Sequence, residues 1–264
     1  MNCKICNGVS TVLFSARILN KYDTRYYKCG RCEFIQTEEP HWLEEAYASA
    51  ITSLDLGLLS RNLVLIPITS ALINKGFDPS GKFLDYGGGY GVFTRLMRDQ
   101  GFDYYRYDIH CENLFAKHFD IADTQDGSKF QLATAFEVFE HLVDPKLELE
   151  KMLTMTDSVF FSTELAPAGV SGNKDWWYFM PETGQHIAFY SVKSLTYLAS
   201  LYQLNFYTNG FNLHLLTKKK FSPLTFRLMT KYKAAKVYNW ISNRKKSLLM
   251  KDYQQVLKNL QKQD

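Results

Sequence analysis

Phe83-Leu84-Asp85-Tyr86-Gly87-Gly88-Gly89-Tyr90-Gly91 sets an apolar run against an acid and then places four glycines within five positions. Glycine reaches positive φ without a steric penalty and lets a ligand approach bare main chain, so glycines clustered between a strand and a helix point to a nucleotide-type cofactor against the backbone. Val92 to Gln100 reads as that helix. The dinucleotide fingerprint needs Gly-x-Gly-x-x-Gly; here Gly87, Gly89 and Gly91 recur at every second residue, with Asp85 two positions ahead of the first.

A second acid lies in register. Tyr104-Tyr105-Arg106-Tyr107-Asp108 reads as the next strand, ending 17 residues after Gly91, where nucleotide-binding α/β folds place a carboxylate for the ribose hydroxyls. Asp108 is the expected ribose ligand. The competing reading of any glycine-rich turn is a tight turn and nothing more, and two acids at the right spacing weigh against it.

The loop's Asp-x-Gly-x-Gly-x-Gly spacing resembles that of class I S-adenosylmethionine-dependent methyltransferases. The resemblance implies a Rossmann-like α/β fold with a mostly parallel seven-stranded sheet. It also implies that Asp85, Tyr86, Gly87, Gly88, Gly89, Gly91 and Asp108 bind S-adenosylmethionine. The rest of the chain supplies the alternation such a sheet needs. Lys82-Tyr86, Tyr104-Asp108, Gln131-Phe136 and Asp157-Thr163 read as strands, Val92-Gln100 and Asp144-Met155 as helices, and a further strand is expected near Phe119-Ala122. Phe206-Thr208 and Asn212-Thr217, separated by Asn209-Gly210, read as a terminal antiparallel pair.

Four of the five cysteines fall as Cys3-x2-Cys6 and Cys29-x2-Cys32, with 22 residues between the pairs. Each pair can present two thiolates on one knuckle, and two knuckles complete a tetrahedral zinc site. About 40 residues build little core, so a metal would supply much of the module's folding free energy. A closed four-sulfur site has no open coordination position and is assigned a structural role. Cys111 reads as a small, partly buried side chain.

At 264 residues, with 46% hydrophobic and 22% charged content, the chain can bury a full core and is long for one ordinary domain. The expected layout is a zinc ribbon over 1–40 and a helical linker over 41–75, in which Trp42 to Asn74 is largely helical. The cofactor domain follows over 76–217, with an insertion at 164–190, and then a basic helical tail over 218–264. The longest apolar stretch, Leu63 to Ile73, is too short for a membrane span and contains Pro67. Cys3 and Cys6 stand where a signal peptide would need a basic and then an apolar stretch, so the expected compartment is the cytoplasm. The net charge of +4 hides an asymmetry: from Lys218 to Asp264 there are 13 Lys plus Arg against 2 Asp, whereas the remainder is net acidic. Such a tail suits phosphates, an anionic membrane surface or an acidic partner, or is simply a solvated helical face.

Two further segments narrow the resemblance. Phe136-Glu137-Val138-Phe139-Glu140-His141-Leu142-Val143-Asp144-Pro145 resembles the post-strand motif of methyltransferases acting on small molecules. Asp175-Trp176-Trp177-Tyr178-Phe179-Met180-Pro181-Glu182-Thr183-Gly184-Gln185-His186-Ile187-Ala188-Phe189-Tyr190-Ser191 is similar to an insertion in bacterial methyltransferases of surface-polysaccharide assembly. An N-terminal four-cysteine module before a class I domain also resembles ketodeoxysugar C-methyltransferases. Those carry a Glu-His pair followed by a Tyr; here the pair is Gln185-His186, and glutamine cannot take a proton. The implied function is methyl transfer to a sugar, nucleotide-sugar or glycan intermediate. His141 and His186 are the candidate general bases, Glu140 the orienter, Tyr190 a substrate ligand, and Glu137 a contact to the cofactor's methionine amino group or to substrate. Trp176, Trp177, Tyr178 and Phe179 either wall a sugar or sulfonium or form the packed side of a lid. Two other readings stand beside this one: an RNA base methyltransferase that uses ribbon and tail for nucleic acid, and a non-catalytic scaffold.

Overall fold

Short apolar runs broken by glycine or asparagine turns alternate with helix-period segments, and this pattern produces ten strands and eight α-helices among the described residues. The computed structural model describes residues 1–48, 52–124, 129–242 and 245–261. In chain order these elements begin with β1 (Ser10–Ile18), β2 (Tyr22–Cys29), β3 (Ile35–Thr37), α1 (Leu43–Ala46), α2 (Leu58–Gly76) and β4 (Lys82–Tyr86). Next come α3 (Val92–Asp99), β5 (Asp103–Tyr107), β6 (Leu132–Ala135), α4 (Pro145–Met155), β7 (Ser158–Ser162) and β8 (Ala188–Phe189). The chain closes with α5 (Val192–Leu201), β9 (Asn205–Thr208), β10 (Leu213–Thr217), α6 (Pro223–Met229), α7 (Tyr232–Ile241) and α8 (Leu249–Leu260).

Six strands form a mixed sheet in the order β5-β4-β6-β7-β10-β9. β4 runs parallel to both β5 and β6, whereas β10 is antiparallel to both β7 and β9. The described sheet has six strands where seven were expected, and its antiparallel part is the terminal pair that the sequence pattern implied. Near Phe119–Ala122 the chain makes one parallel bridge, Arg106 to Asp120, and then turns into a 3-10 helix over Ile121–Asp123. The Asp123 carboxylate accepts from the Asp120 amide at 2.8 Å while the Asp120 carboxylate accepts from Arg106 and Asn113 at 2.7 and 3.1 Å, and these side-chain bonds compete with continued strand pairing. The expected helix over Trp42 to Asn74 is in fact two, α1 and α2; residues 49–51 lie outside the described residues.

The chain divides into two compact units. The first comprises residues 1–55, 135–154 and 158–220. Its second sheet, in the order β1-β2-β3-β8, joins the N-terminal hairpin to a strand much later in the chain, through Ile35 opposite Phe189 and Gln36 opposite Ala188. Its core is aromatic: Tyr26, Trp42, Trp176, Tyr178, Phe179 and Phe189 are all buried together. Three of the four insertion aromatics are therefore packing groups, and Trp177 alone of the four stands in solvent.

The second unit comprises residues 56–134, 155–157 and 221–264. The basic tail does not trail from it. Ser222 caps α6 by accepting from the Thr225 amide, with Pro223 at the first helical position, where a missing N–H costs nothing. Farther on, α8 is clamped to α3: Arg98 donates through Nε and Nη2 to the two Asp252 oxygens at 2.8 and 2.7 Å, and through Nη1 to Asp103 at 2.6 Å. Arg98 and Asp252 are 2% and 3% exposed. Removing one partner of a buried pair strands the other charge, so Asp252→Ala is expected to destabilise the protein by about 3–5 kcal/mol. Urea unfolding would show this as a lower midpoint at unchanged slope.

Candidate functional site

The glycine loop lies in the second unit, between the end of β4 and α3. Gly87, Gly89 and Gly91 have φ of 68°, 52° and 86°, the left-handed region that favours glycine. At Gly88 the demand is space: a Cβ there would stand 2.7 Å from Asp85 Oδ2 and from Arg106 Cγ. The loop's amides are satisfied internally. Gly87 and Gly88 donate to the Tyr107 carbonyl at 2.8 and 3.2 Å, Gly91 donates to Gly88, and Gly89 donates to Asp108 Oδ2 at 2.9 Å. The loop thus offers a ligand close approach to bare main chain.

Asp108 is half-buried one residue past β5. Its Oδ1 accepts from the amides of His110 and Cys111, both at 2.8 Å, and its Oδ2 accepts from Gly89. The expected ribose ligand therefore also fastens the loop and fixes its own orientation. Beneath it runs Arg106, which sequence reasoning passed over. Its guanidinium donates to Asp120 at 2.7 Å and to the carbonyls of Gly89 and Cys111. An arginine in the middle of an otherwise aromatic strand, 5% exposed, was the available signal.

Asp85 is 3% exposed, and its carboxylate accepts from the hydroxyls of Thr94 and Thr134 at 3.0 and 3.1 Å. Burial pushes its pKa up to about 7, against these two donors; Asp108 adds to the rise and Arg106 opposes it. A carboxyl with a folded-state pKa above its unfolded value favours folding most at low pH, and that stability is lost as pH rises from about 4 to 7. Lowering the pH from 8 to 6 is expected to add about 1 kcal/mol that Asp85→Asn does not show. Paired denaturation curves at the two pH values measure it.

Tyr86 packs against Tyr107, ring centroids 4.9 Å apart, and is 4% exposed. Its side chain supports the loop from inside.

The second group of chemistry-bearing residues lies in the first unit, where the chain leaves β6. Glu137 takes a positive φ of 55°, held by Ser162: the Glu137 amide donates to Ser162 Oγ at 2.8 Å, and that hydroxyl donates to Glu137 Oε1 at 2.6 Å. Glu140 is fully buried, and neither carboxylate oxygen has a hydrogen bond of good geometry. Burial, and then the charge of Glu137, pushes its pKa well above the usual carboxylate range. His141 Nδ1 stands 3.0 Å from the Gln185 carbonyl, and His186 Nδ1 stands 2.7 Å from the Tyr178 carbonyl. A carbonyl only accepts, so in each neutral ring Nδ1 carries the proton and Nε2 the lone pair. The two rings are nearly perpendicular, with centroids 4.9 Å apart. Burial, followed by the neighbouring His186, holds His141 down to about 3, hence neutral. Tyr190 borders this group with its hydroxyl already engaged: it donates to the Phe139 carbonyl at 2.9 Å, and its side chain is fully buried. Gln185 is equally occupied, donating to the Ala46 carbonyl at 2.8 Å.

The four cysteines of the same unit converge. Cys3 and Cys32 Sγ are 3.5 Å apart, Cys6 and Cys29 Sγ 3.4 Å, and all four lie within 4.8 Å of one another. Four sulfurs at ~2.3 Å from one centre would stand roughly 3.8 Å apart, so the donor set fits a tetrahedral ion. Amides of Gly8 and Arg31 donate to Cys6 and Cys29 sulfurs, both at 3.4 Å, as knuckle amides do toward thiolates.

The second unit thus carries an α/β arrangement in which a glycine-rich turn joins β4 to α3. A family model for the methyltransferase domain matches residues 61–208. The chain belongs to the methyltransferase-domain family. Among solved structures it resembles the plantazolicin methyltransferase BpumL in complex with a monoazolic desmethylPZN analogue and SAH, at 12% identity over 76% of this chain and 88% of that chain, with a TM-score of 0.50. It also resembles OxaC, at 12% identity over 69% of this chain and 52% of that one (TM-score 0.46). A third resemblance is to CalO1, a methyltransferase in calicheamicin biosynthesis in SAH-bound form, at 13% identity over 69% and 68% (TM-score 0.38). The chain spans about half the length of OxaC. At such identities the likeness shows the fold alone. A comparison with curated proteins gives no significant match. Among the described residues, no helix is long and apolar enough to cross a membrane.

Proposed function

We propose that this chain is a cytoplasmic S-adenosylmethionine-dependent methyltransferase whose acceptor is a small molecule of sugar, nucleotide-sugar or glycan type. The observation that carries the reading is the glycine loop fastened to Asp108 within a methyltransferase-domain match. Asp108 is only half-buried and its Oδ2 accepts one hydrogen bond from the loop, leaving acceptor capacity for a ribose hydroxyl. The BpumL neighbour, which shares the fold, holds SAH, the demethylated product of that cofactor.

Bound S-adenosylmethionine supplies an electrophilic methyl on a sulfonium. In-line displacement then depends chiefly on holding the acceptor in position. Glu137, with its backbone held by Ser162, is assigned to the cofactor's amino group or to substrate. An acceptor hydroxyl gives its proton to a histidine Nε2 as its oxygen takes the methyl, and His141 and His186 each present that atom with Nδ1 tied to a carbonyl. Glu140 borders them, and Tyr190 fixes the backbone of Phe139 from beneath rather than touching substrate. The four-cysteine cluster is assigned a structural zinc ion, in keeping with a reducing compartment.

The test is calorimetric titration of metal-loaded protein with S-adenosylmethionine and with S-adenosylhomocysteine, followed by methyl-transfer assays on sugar nucleotides and RNA. Micromolar binding and transfer to a sugar nucleotide are expected. No binding by folded protein removes the catalytic reading; transfer to RNA replaces the acceptor.

A further inference from the structure

We infer that Glu140, His141 and His186 form a second metal site, which takes a divalent transition cation of the zinc or cobalt type. The inference concerns the site to which the methyl-transfer reading assigns the acceptor's proton, and only the cation's role rests on that reading.

Three observations lead to it. One ligand atom from each residue, a carboxylate oxygen and two ring nitrogens, lies within 4.8 Å of the others. The outer nitrogens of both rings are anchored to backbone carbonyls of different segments, Gln185 and Tyr178, at 3.0 and 2.7 Å. That arrangement fixes ring orientation and leaves Nε2 as the basic atom, the outer-shell pattern that metal-ligating histidines require. Lastly, the Glu140 carboxylate is fully buried with both oxygens lacking a hydrogen bond. The Tyr178 and Thr163 hydroxyls beside it stand 3.4 Å from each other and close no bond of good geometry with it.

A structural polar network is the competing account, and the buried Glu140 carboxylate weighs against it, since neither oxygen closes a hydrogen bond of good geometry. A buried carboxyl group in that position needs a proton or a cation, and two imidazole rings beside it suit a cation. Two imidazoles and one carboxylate are the ligand set of open, four-coordinate zinc sites, in which a fourth position stays free for water or substrate. Nitrogen ligands disfavour the all-oxygen cations, and the absence of thiolate from the set disfavours the softest ones. Donor atoms around a tetrahedral ion with bonds of ~2.1 Å stand roughly 3.4 Å apart, inside the 4.8 Å that bounds the present separations.

The cation would receive the acceptor's oxygen at its open position and make that hydroxyl more acidic. With the cation bound, both histidines act as ligands in place of the proton-accepting role a histidine has without it, and the proton leaves to solvent.

The experiment counts metal on full-length protein. With the cysteine cluster already loaded, Zn2+ is titrated calorimetrically, Co2+ is followed in parallel by its visible spectrum, and bound metal is measured after gel filtration. Wild type is expected to take a second equivalent with a nitrogen-oxygen cobalt spectrum. Glu140→Gln and His141→Gln should each weaken that equivalent about 100-fold or more while leaving the cysteine-bound ion in place. His141 is only partly buried, so its variant preserves the test if Glu140→Gln does not fold. No second equivalent in wild type, or one that persists in both variants, overturns the site. Titration with S-adenosylmethionine on the same samples separates the two readings: cofactor binding without a second metal sinks only this site, and a second metal without cofactor binding sinks only the methyl-transfer reading.

Discussion

Replacing Cys29 with serine is expected to empty the four-cysteine site and to release the N-terminal hairpin from its folded state. Structural zinc contributes on the order of 10 kcal/mol to small modules of this kind, more than the apolar contacts of a three-stranded ribbon can replace. Cys29 is the last residue of β2, and its carbonyl and amide also close the second knuckle: Glu33 N–H donates to the Cys29 carbonyl and Cys29 N–H donates to the Phe34 carbonyl. Loss of the ion therefore acts on the strand end itself. The measurement is hydrogen exchange together with metal content. Amides of β1 and β2 are expected to lose protection, whereas those of β4 and β5, in the other compact unit, keep theirs. A metal-free variant with native protection in β1 and β2 would show that the sulfurs pack well enough without an ion.

The second large effect is on the cofactor. Asp108→Ala removes an acceptor that serves the ribose hydroxyls on the proposed reading and also fastens Gly89, His110 and Cys111. Hydrogen bonds to an ionised group are worth about 1.5–3 kcal/mol each, so affinity for S-adenosylmethionine is expected to fall by a factor of about 100–1,000. Asp108→Asn is the informative companion. It keeps one oxygen but loses the charge, and should retain more of the loop's order than of the affinity. Metal content is expected to be unchanged in both variants; joint loss of metal and cofactor binding would mark general misfolding instead.

Much of this was legible in the sequence because it is local. The glycine loop needs only neighbours within nine residues, and its strand and helix appear within a residue or two of the expected bounds. The cysteine pairs announce themselves by spacing, and their sulfurs do converge. What could not be read was non-local. Nothing in Ala188-Phe189 says that it will pair with Ile35-Gln36, because a two-residue strand carries no period. The role of Arg106 depends on carbonyls of Gly89 and Cys111 that only the folded loop brings to it. The expected strand near Phe119 failed because the Asp123 carboxylate accepts the Asp120 amide and the Asp120 carboxylate is drawn to Arg106 and Asn113, side-chain bonds that outweigh strand propensity over so short a segment. The insertion aromatics were open to two readings in sequence, since a tryptophan wall and a packed tryptophan have the same composition; burial decides for packing at Trp176, Tyr178 and Phe179.

The ladder between β3 and β8 bears on how this chain can have changed over time. Ile35 and Gln36 pair in register with Phe189 and Ala188, the Ser191 hydroxyl donates to the Cys32 carbonyl at 3.0 Å, and the Trp42 indole donates to the Gly184 carbonyl at 2.8 Å. The segment that carries His186 is thus built partly from N-terminal chain. A gene fragment starting after residue 40 would leave that segment with an unpaired edge, and a ribbon borrowed from another protein would have to match it in register. The cysteine module is therefore not an interchangeable cassette: the two parts must be inherited together.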